Sequence, residues 1–465
     1  MMMMQHKEPQ QDGQSGQNGE EYSNKRQKLL RLQGKEEDLV TSEGALLKEG
    51  EEQEGDPYGC AGHGLGVASI QRYSRHLLAP DFGVNKQAKL QAASVLVVGA
   101  GGLGSAVIPL LAGCGIGKLG ILDSDVVEVS NLHRQTLYRE SMAGKSKAAM
   151  ACEEATRLNS ELRAVAICER FGPENGLELV QDYDVVVDAT DNVYSRYLIN
   201  DACIIAGKPL VSGSAIGFEG QLTVYGWEGG PCYRCVFGKP DPLESQRRCS
   251  DSGVIGTVPS TIGCMQATEA IKIISGFGKP LAGKLLTYDA SDCSFYTMKL
   301  KPASKSCAVC GESPAITSLK ESAECLEQWG LFSCDRKPSI ECPSQNCVSC
   351  QHYSVTVRGA GTLHLLLDVR PKAQFEICSL PGSVNIPFAE LSLKLKELKK
   401  MLLTPEEVEQ DKDTYKPVYV LCRRGNDSKR ATSFLLKDPD LTEVYNINGG
   451  LSSWRQQVDS NFPMY

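Results

Sequence analysis

Two short cysteine pairs, Cys232-x-x-Cys235 and Cys307-x-x-Cys310, restrict this chain more than any other feature. Thiolates two residues apart in a tight turn point both sulfurs at one ion, and two such turns about seventy residues apart can close a tetrahedral zinc site. Such a site would clamp the long stretch of chain between the turns. A lone CxxC also serves redox chemistry, and four buried, reduced cysteines are the plain alternative. Two turns, each set among Gly, Pro or Lys, favour metal. The chain has six histidines and none neighbours either pair, so the expected ligands are all four cysteine sulfurs. No position is then left for a catalytic water, and the zinc is expected to be structural.

At 465 residues the chain exceeds one ordinary core, and two or three domains are expected. A net charge of −8 gives no electrostatic footprint for nucleic acid, so small molecules or proteins are the expected partners. Nineteen cysteines behind an N-terminus without an apolar signal segment point to reduced thiols and a cytoplasmic setting. No apolar run approaches the roughly eighteen residues of a membrane helix. Residues 1–60, rich in Gln, Gly, Glu and Lys, read as a disordered extension with room for a short amphipathic helix over Leu29–Leu47. Residues 61–311 form the first domain, where the apolar runs SVLVVG, LGILDSD and YDVVVDAT alternate with helix-like stretches. That is the βαβ texture of a Rossmann-like α/β fold with a parallel sheet. Residues 312–350 are polar and dotted with cysteines, a linker with at most one helix. Residues 351–465 return to strand signals in LHLLLDVR, SVNIPF, PVYVLCRRGND and VYNINGG, which make a second, smaller α/β domain.

Strand SVLVV runs into Gly99-Ala100-Gly101-Gly102-Leu103-Gly104 and then a helix-like AVIPLLAG, the arrangement that lets backbone N–H groups approach phosphate oxygens. Asp123 ends the next strand and could accept from ribose hydroxyls, which suits NAD as well as ATP. The set that follows separates them. Arg134, in Ser130-Asn131-Leu132-His133-Arg134-Gln135, and Lys147 supply cations, and Asp191, followed by Asn192, supplies a carboxylate able to hold magnesium. Hydride transfer has little use for these groups, whereas phosphoryl chemistry needs them. Taken singly, Arg134 and Lys147 also read as surface charges and Asp191 as a helix cap.

GAGGLG, LDSD, SNLHRQ, TDN, both CxxC pairs and an upstream RYSRH together resemble the E1 (ubiquitin-activating enzyme) superfamily, in particular the ThiF-type adenylyltransferases that activate ubiquitin-like sulfur carriers. The resemblance covers about residues 67–311. It implies adenylation of a carrier's C-terminal glycine carboxylate, with magnesium ATP held by Gly102, Asp123, Ser130, Asn131, Leu132, His133, Arg134, Lys147, Asp191 and Asn192. It also matches Arg75 to an arginine lent across a homodimer interface. Cys249 falls where the superfamily places a thioester cysteine, with Arg247 and Arg248 beside it, the alternative being an ordinary surface thiol. Cys264, in IGCMQATEAIKII, is expected in the core.

The second domain delivers Cys422 from strand VYVL into the loop Cys422-Arg423-Arg424-Gly425-Asn426-Asp427-Ser428, ahead of helix-like KRATSFLL. Backbone N–H groups, a helix N-terminus and two arginines favour an anion there, so Cys422 is expected to ionise readily. With LLLDVR, PGSVNIPF and GGLSSW, residues 351–465 resemble a rhodanese domain. That implies a persulfide on Cys422 and a structural Asp368–Arg370 pair. A Cys-x5-Arg phosphatase is disfavoured, because Ser428 stands where the phosphate-binding arginine would be. Cys325 and Cys334 resemble, in position, a resolving thiol pair of two-domain relatives, while Cys342, Cys347 and Cys350 are expected as exposed linker thiols.

In this order the two domains resemble the eukaryotic family of molybdopterin-synthase adenylyltransferases and sulfurtransferases. The resemblance implies Gly-Gly-terminated carriers, the small molybdopterin-synthase subunit and the ubiquitin-related modifier of tRNA thiolation, with a cysteine desulfurase as sulfur donor. Three rivals remain open: a ubiquitin-type E1 forming a thioester at Cys249, an NAD oxidoreductase, and a non-enzymatic zinc scaffold.

Overall fold

Apolar runs too short for helices and too continuous for half-exposed strands become strands buried on both faces, and they form two sheets. The structure, a computed structural model, describes residues 64–239, 253–331, 342–403 and 415–465. The extension expected over 1–60, Arg247, Arg248, Cys249 and Cys334 lie outside the described residues.

The first sheet holds β1 (Ser94–Val98), β2 (Lys118–Leu122), β3 (Arg163–Ile167), β4 (Val185–Asp188), β5 (Leu210–Ile216), β6 (Glu219–Tyr225), β7 (Lys284–Asp289) and β8 (Ser294–Lys299), in the order β3-β2-β1-β4-β5-β6-β7-β8. Pairing is parallel as far as β5 and antiparallel beyond it. The expected parallel sheet is present in β1 to β5; the antiparallel extension arises because β5 turns directly into β6 through Gly217, at φ +58°, with no helix between. The helices that matter here are α1 (Gly104–Cys114), α2 (Lys147–Leu158), α3 (Val193–Ala206), α4 (Thr257–Ser275) and α5 (Leu319–Gln328). Alternate residues of β1 serve opposite cores: Val95 and Val97 pack with α1, α2 and α4, while Leu96 and Val98 pack with α3 and α5. Strand order reverses between β1 and β4, so the carboxyl ends of β1, β2 and β4 open on one crevice.

Part of the stretch expected as linker belongs to this first body. Ser318 and Glu321 form a reciprocal capping box that starts α5, and Leu319, Leu326 and Leu331 enter the core beside α3. A buried charge pair fastens the contact. Arg234 lies between the zinc-pair cysteines Cys232 and Cys235, and it grips Asp201 of α3 through three N–H···O bonds of 2.7–3.0 Å. Its guanidinium also donates to Ser322 and Cys325 of α5 and stacks on the Trp329 ring. Cys264, expected in the core, is exposed: it falls on the solvent face of α4, whose Gly263, Ala267 and Ala270 turn inward.

The second sheet, all parallel, runs β11-β10-β12-β13-β9, from β9 (Cys347–Val348), β10 (Leu365–Asp368), β11 (Ser383–Asn385), β12 (Val418–Leu421) and β13 (Val444–Ile447). Two helices frame its cysteine loop, α6 (Asn426–Leu435) and α7 (Gly450–Gln457). β9 draws the end of the expected linker into this sheet, and Cys350 is fully buried among Tyr353, Leu421 and Trp454. Cys342 and Cys347 are half-buried. These three are therefore not exposed linker thiols; pairing of β9 with β13 supplies the missing backbone partners and carries them inward.

Asp201→Ala would leave a guanidinium buried without its carboxylate, a change expected to cost about 3–5 kcal/mol. A urea titration of the full chain should show the midpoint of the first body fall while that of the second stays.

Candidate functional site

The four CxxC cysteines converge. Their sulfurs lie within 4.8 Å of one another, with neighbouring separations of 3.3, 3.6 and 3.7 Å. Four sulfurs placed tetrahedrally at about 2.3 Å from zinc would stand about 3.8 Å apart, so the donor set fits that ion with little adjustment. Cys232 and Cys307 are buried, and the Ser304 N–H donates to the Cys235 sulfur, a typical way to steady a thiolate ligand.

At the crevice above β1, glycines are required by contact. A Cβ on Gly104 would come within 2.3 Å of the Gly99 carbonyl oxygen, and Gly99 itself sits at φ +100° against the Ala189 backbone. Asp123, one residue beyond β2, accepts from the N–H groups of Ala100 and Asp125 at 2.8 Å each. Burial pushes its carboxyl up, partly offset by Lys147. Lys147 opens α2, is buried, and pairs with Asp125 at 3.0 Å. Arg134 donates to Asn131 at 2.8 Å and faces Asp191 and Glu128, whose charges counter the downward pull of burial. Asn192, not Asp191, caps α3 by accepting from the Ser195 N–H. Ser130 and Asn131 both donate to Glu128, His133 contacts Arg134, and Leu132 packs on the core. A Cβ on Gly102 would meet Pro259 at 3.2 Å, so α4 closes one wall of the crevice. The buried Ser105 hydroxyl and the Gln135 carbonyl oxygen have no hydrogen-bond partner, and both adjoin the glycine loop. The close backbone approach that the glycines allow, with Lys147 and Arg134 beside them, is what fits ATP.

The residues expected to hold the nucleotide therefore come together around the glycine loop, and Arg75, expected to act across a homodimer interface, is exposed on the short helix Ser74–Leu77. Asp125, Glu128 and Gln135 were missed as site residues. For Asp125 a signal existed, since it follows Asp123 by two residues in LDSD and Lys147 needed a carboxylate to be buried.

In the second sheet the order reverses between β10 and β12, and Cys422 emerges there, 2% exposed. The Gly425 N–H donates to its sulfur at 3.1 Å, and Ser428 Oγ lies 3.3 Å away. The loop rests directly on Gly449 and Gly450: a Cβ on Gly450 would strike the Cys422 carbonyl oxygen at 2.1 Å. Asp368 and Arg370, both buried, form the expected pair, with Nε 2.9 Å from each carboxylate oxygen. Ready ionisation of Cys422 was expected, and the structure corrects this. Burial pushes the thiol up, and the hydrogen bonds from the loop offset only part of that cost.

The ThiF family matches residues 73–309, and the rhodanese-like domain matches residues 357–457. The chain is 46% identical to "Adenylyltransferase and sulfurtransferase MOCS3-1" of Zea mays, over 85% of this chain and 83% of that protein. Identity to the Arabidopsis thaliana and Mus musculus proteins named "Adenylyltransferase and sulfurtransferase MOCS3" is 43%, over 87% and 85% of this chain and 87% of each relative. The chain belongs to this adenylyltransferase and sulfurtransferase family. A solved structure of E. coli MccB aligns with 53% of this chain and 74% of its own, at 24% identity and TM-score 0.48. As an adenylyltransferase and sulfurtransferase, the protein is an enzyme that uses ATP. Among its described residues no helix is long and apolar enough to cross a membrane.

Elemental analysis of the purified adenylyltransferase and sulfurtransferase should find about one zinc ion per chain, as four thiolates require. In Cys310→Ser the content should fall well below that, and Cys264→Ser should leave it unchanged.

Proposed function

We propose that the enzyme adenylates the C-terminal glycine of a ubiquitin-like sulfur carrier ending in Gly-Gly and converts that carboxylate into a thiocarboxylate. The observation that carries this reading is the pairing, in one chain, of a cation-lined glycine loop with a buried cysteine loop, each at the reversal point of a parallel sheet. A carboxylate and a triphosphate repel each other, and Arg134 and Lys147 are the groups that would offset the repulsion while the carboxylate oxygen attacks the α-phosphate and pyrophosphate leaves. Glycine-loop N–H groups at Gly102, with Asp123 toward the ribose and the Ser130–His133 segment, Asp191 and Asn192 around the phosphates, would hold the nucleotide. Asp191 would carry magnesium.

Sulfur would arrive on Cys422 as a persulfide from a cysteine desulfurase. Its outer sulfur attacks the acyl carbon, displacing AMP directly or displacing the Cys249 thiol once the carrier has moved from AMP to a thioester; a second thiol then attacks the Cys422 sulfur of the acyl disulfide, forming a disulfide with Cys422 and releasing the thiocarboxylate. Adenylation is assigned to residues 61–311 together with α5, and sulfur transfer to the sheet that begins at β9. We further assign Arg75 to a partner subunit's nucleotide site in a homodimer and Cys249 to a thioester with the carrier. Supply of thiocarboxylate to molybdenum cofactor biosynthesis and to tRNA 2-thiolation, in the cytoplasm, completes the reading.

Incubation with a Gly-Gly carrier, ATP and a sulfur donor should replace one carrier oxygen by sulfur, read by mass spectrometry. Cys422→Ala should lose that mass gain while keeping ATP–pyrophosphate exchange; carrier that is adenylated by the wild type but never gains sulfur would sink the proposal. Lys147→Ala should slow the exchange by about 10²-fold or more.

A further inference from the structure

Beneath Cys422 a line of buried polar groups runs from the sulfur into β13. Cys422 Sγ is 3.3 Å from Ser428 Oγ, which is 2.7 Å from Asn446 Oδ1. Ser428 and Asn446 are fully buried. At the far end of the Asn446 amide, Nδ2 donates to Asn448 Oδ1 at 2.9 Å and to the Cys347 sulfur at 3.8 Å, and the carbonyl oxygen faces Ser428.

A hydroxyl has one proton to give. While Ser428 donates it to Asn446, only lone pairs face the sulfur, and Cys422 fits that arrangement as a thiol whose S–H donates to Oγ. A thiolate in the same place would meet lone pairs on its Ser428 Oγ side unless the hydroxyl turned toward it, and the turn would strip the buried Asn446 oxygen of its donor. Two acceptors thus compete for one proton. We propose that Ser428 and Asn446 are positioning residues that set the protonation state of Cys422, with the Ser428 hydroxyl held by Asn446 in the thiol state and turned to the sulfur in the thiolate state. The inference rests on Cys422 as the sulfur-carrying nucleophile, but it concerns the free enzyme and needs no carrier.

The surrounding charges leave room for such control. On the loop and α6, the N–H groups of Arg424, Gly425 and Ser428 favour the anion and Asp427 opposes it, with Arg430 close to Asp427 at 3.7 Å. Arg423 stacks on the Tyr465 ring. From β10, Asp368 and Arg370 neutralise each other. Behind the loop, the Cys350 thiol donates to the carbonyls of Asn448 and Gly450 and brings no charge. The Ser428 hydroxyl is the neutral group in contact with the sulfur that can serve either state.

The test is the pH dependence of alkylation of the full-length protein by iodoacetamide, read by mass spectrometry on the Cys422 peptide. Ser428→Ala removes the donor, so the midpoint should move to higher pH and the rate at neutral pH should fall about tenfold. Asn446→Leu removes the competing acceptor and frees the hydroxyl for the sulfur, so the midpoint should move to lower pH. In the double variant no hydroxyl remains to be freed, and the profile should match Ser428→Ala alone. Ser428→Thr keeps the hydroxyl and should stay near the wild type. A packing role predicts shifts of one sign in both single variants; that result, or equal midpoints for Ser428→Ala and Ser428→Thr, would overturn the proposal. If the Asn446 variant does not fold, the Ala and Thr variants decide alone. Loss of sulfur transfer to carriers with these shifts intact would count against the proposed function and leave this inference standing.

Discussion

The ion pair between Arg234 and Asp201 holds the first body together where its sequence is least continuous. Arg234 sits inside the turn that presents Cys232 and Cys235, Asp201 lies in the helix behind β4, and Ser322 and Cys325 come from a helix beyond the second cysteine pair. One guanidinium thus fixes a metal-type turn, a helix against the sheet and a later helix at once. Charges with 0% and 4% side-chain exposure are tolerable only when every donor and acceptor is matched, and that demand selects one arrangement of the three segments. The carboxyl end of β4, and with it Asp191 and Asn192, inherits its position from the same contact.

The parts of the sequence with strong local physics were legible. β1 and its glycine loop, the two CxxC turns, and the strand that delivers Cys422 each carry a pattern that local sterics or chelation enforces, and each lies where the sequence puts it. The antiparallel strands β6 to β8 were not legible, because β8 is an edge strand with mostly exposed side chains and no clean alternation. Residues 319–331 read as linker because their apolar positions are few; α5 is buried through Arg234 and Asp201, partners far away in the chain. β9 was hidden for a similar reason, being two residues long and defined only by pairing with β13.

Cys422 shows why the electrostatics of a site resist sequence reading. Loop arginines, a glycine N–H and a helix start all argue for an anion, and those groups are present. What the pattern does not contain is depth. Seating the loop against Gly449 and Gly450 removes the sulfur from water, and loss of hydration outweighs the nearby donors. In the proposed role as sulfur-carrying nucleophile this would be a gain: a thiol kept protonated between turnovers is shielded from stray oxidants.

Docking of α5 on one body and of β9 in the other also changes the mechanics of the whole chain. The span between the two bodies is not the thirty-nine residues between 312 and 350 but the eleven peptide steps from Leu331 to Cys342. Eleven peptide steps reach at most about 40 Å when drawn taut. Covalent connection over so short a length would let an activated intermediate meet the cysteine loop of its own chain in competition with any freely diffusing rival.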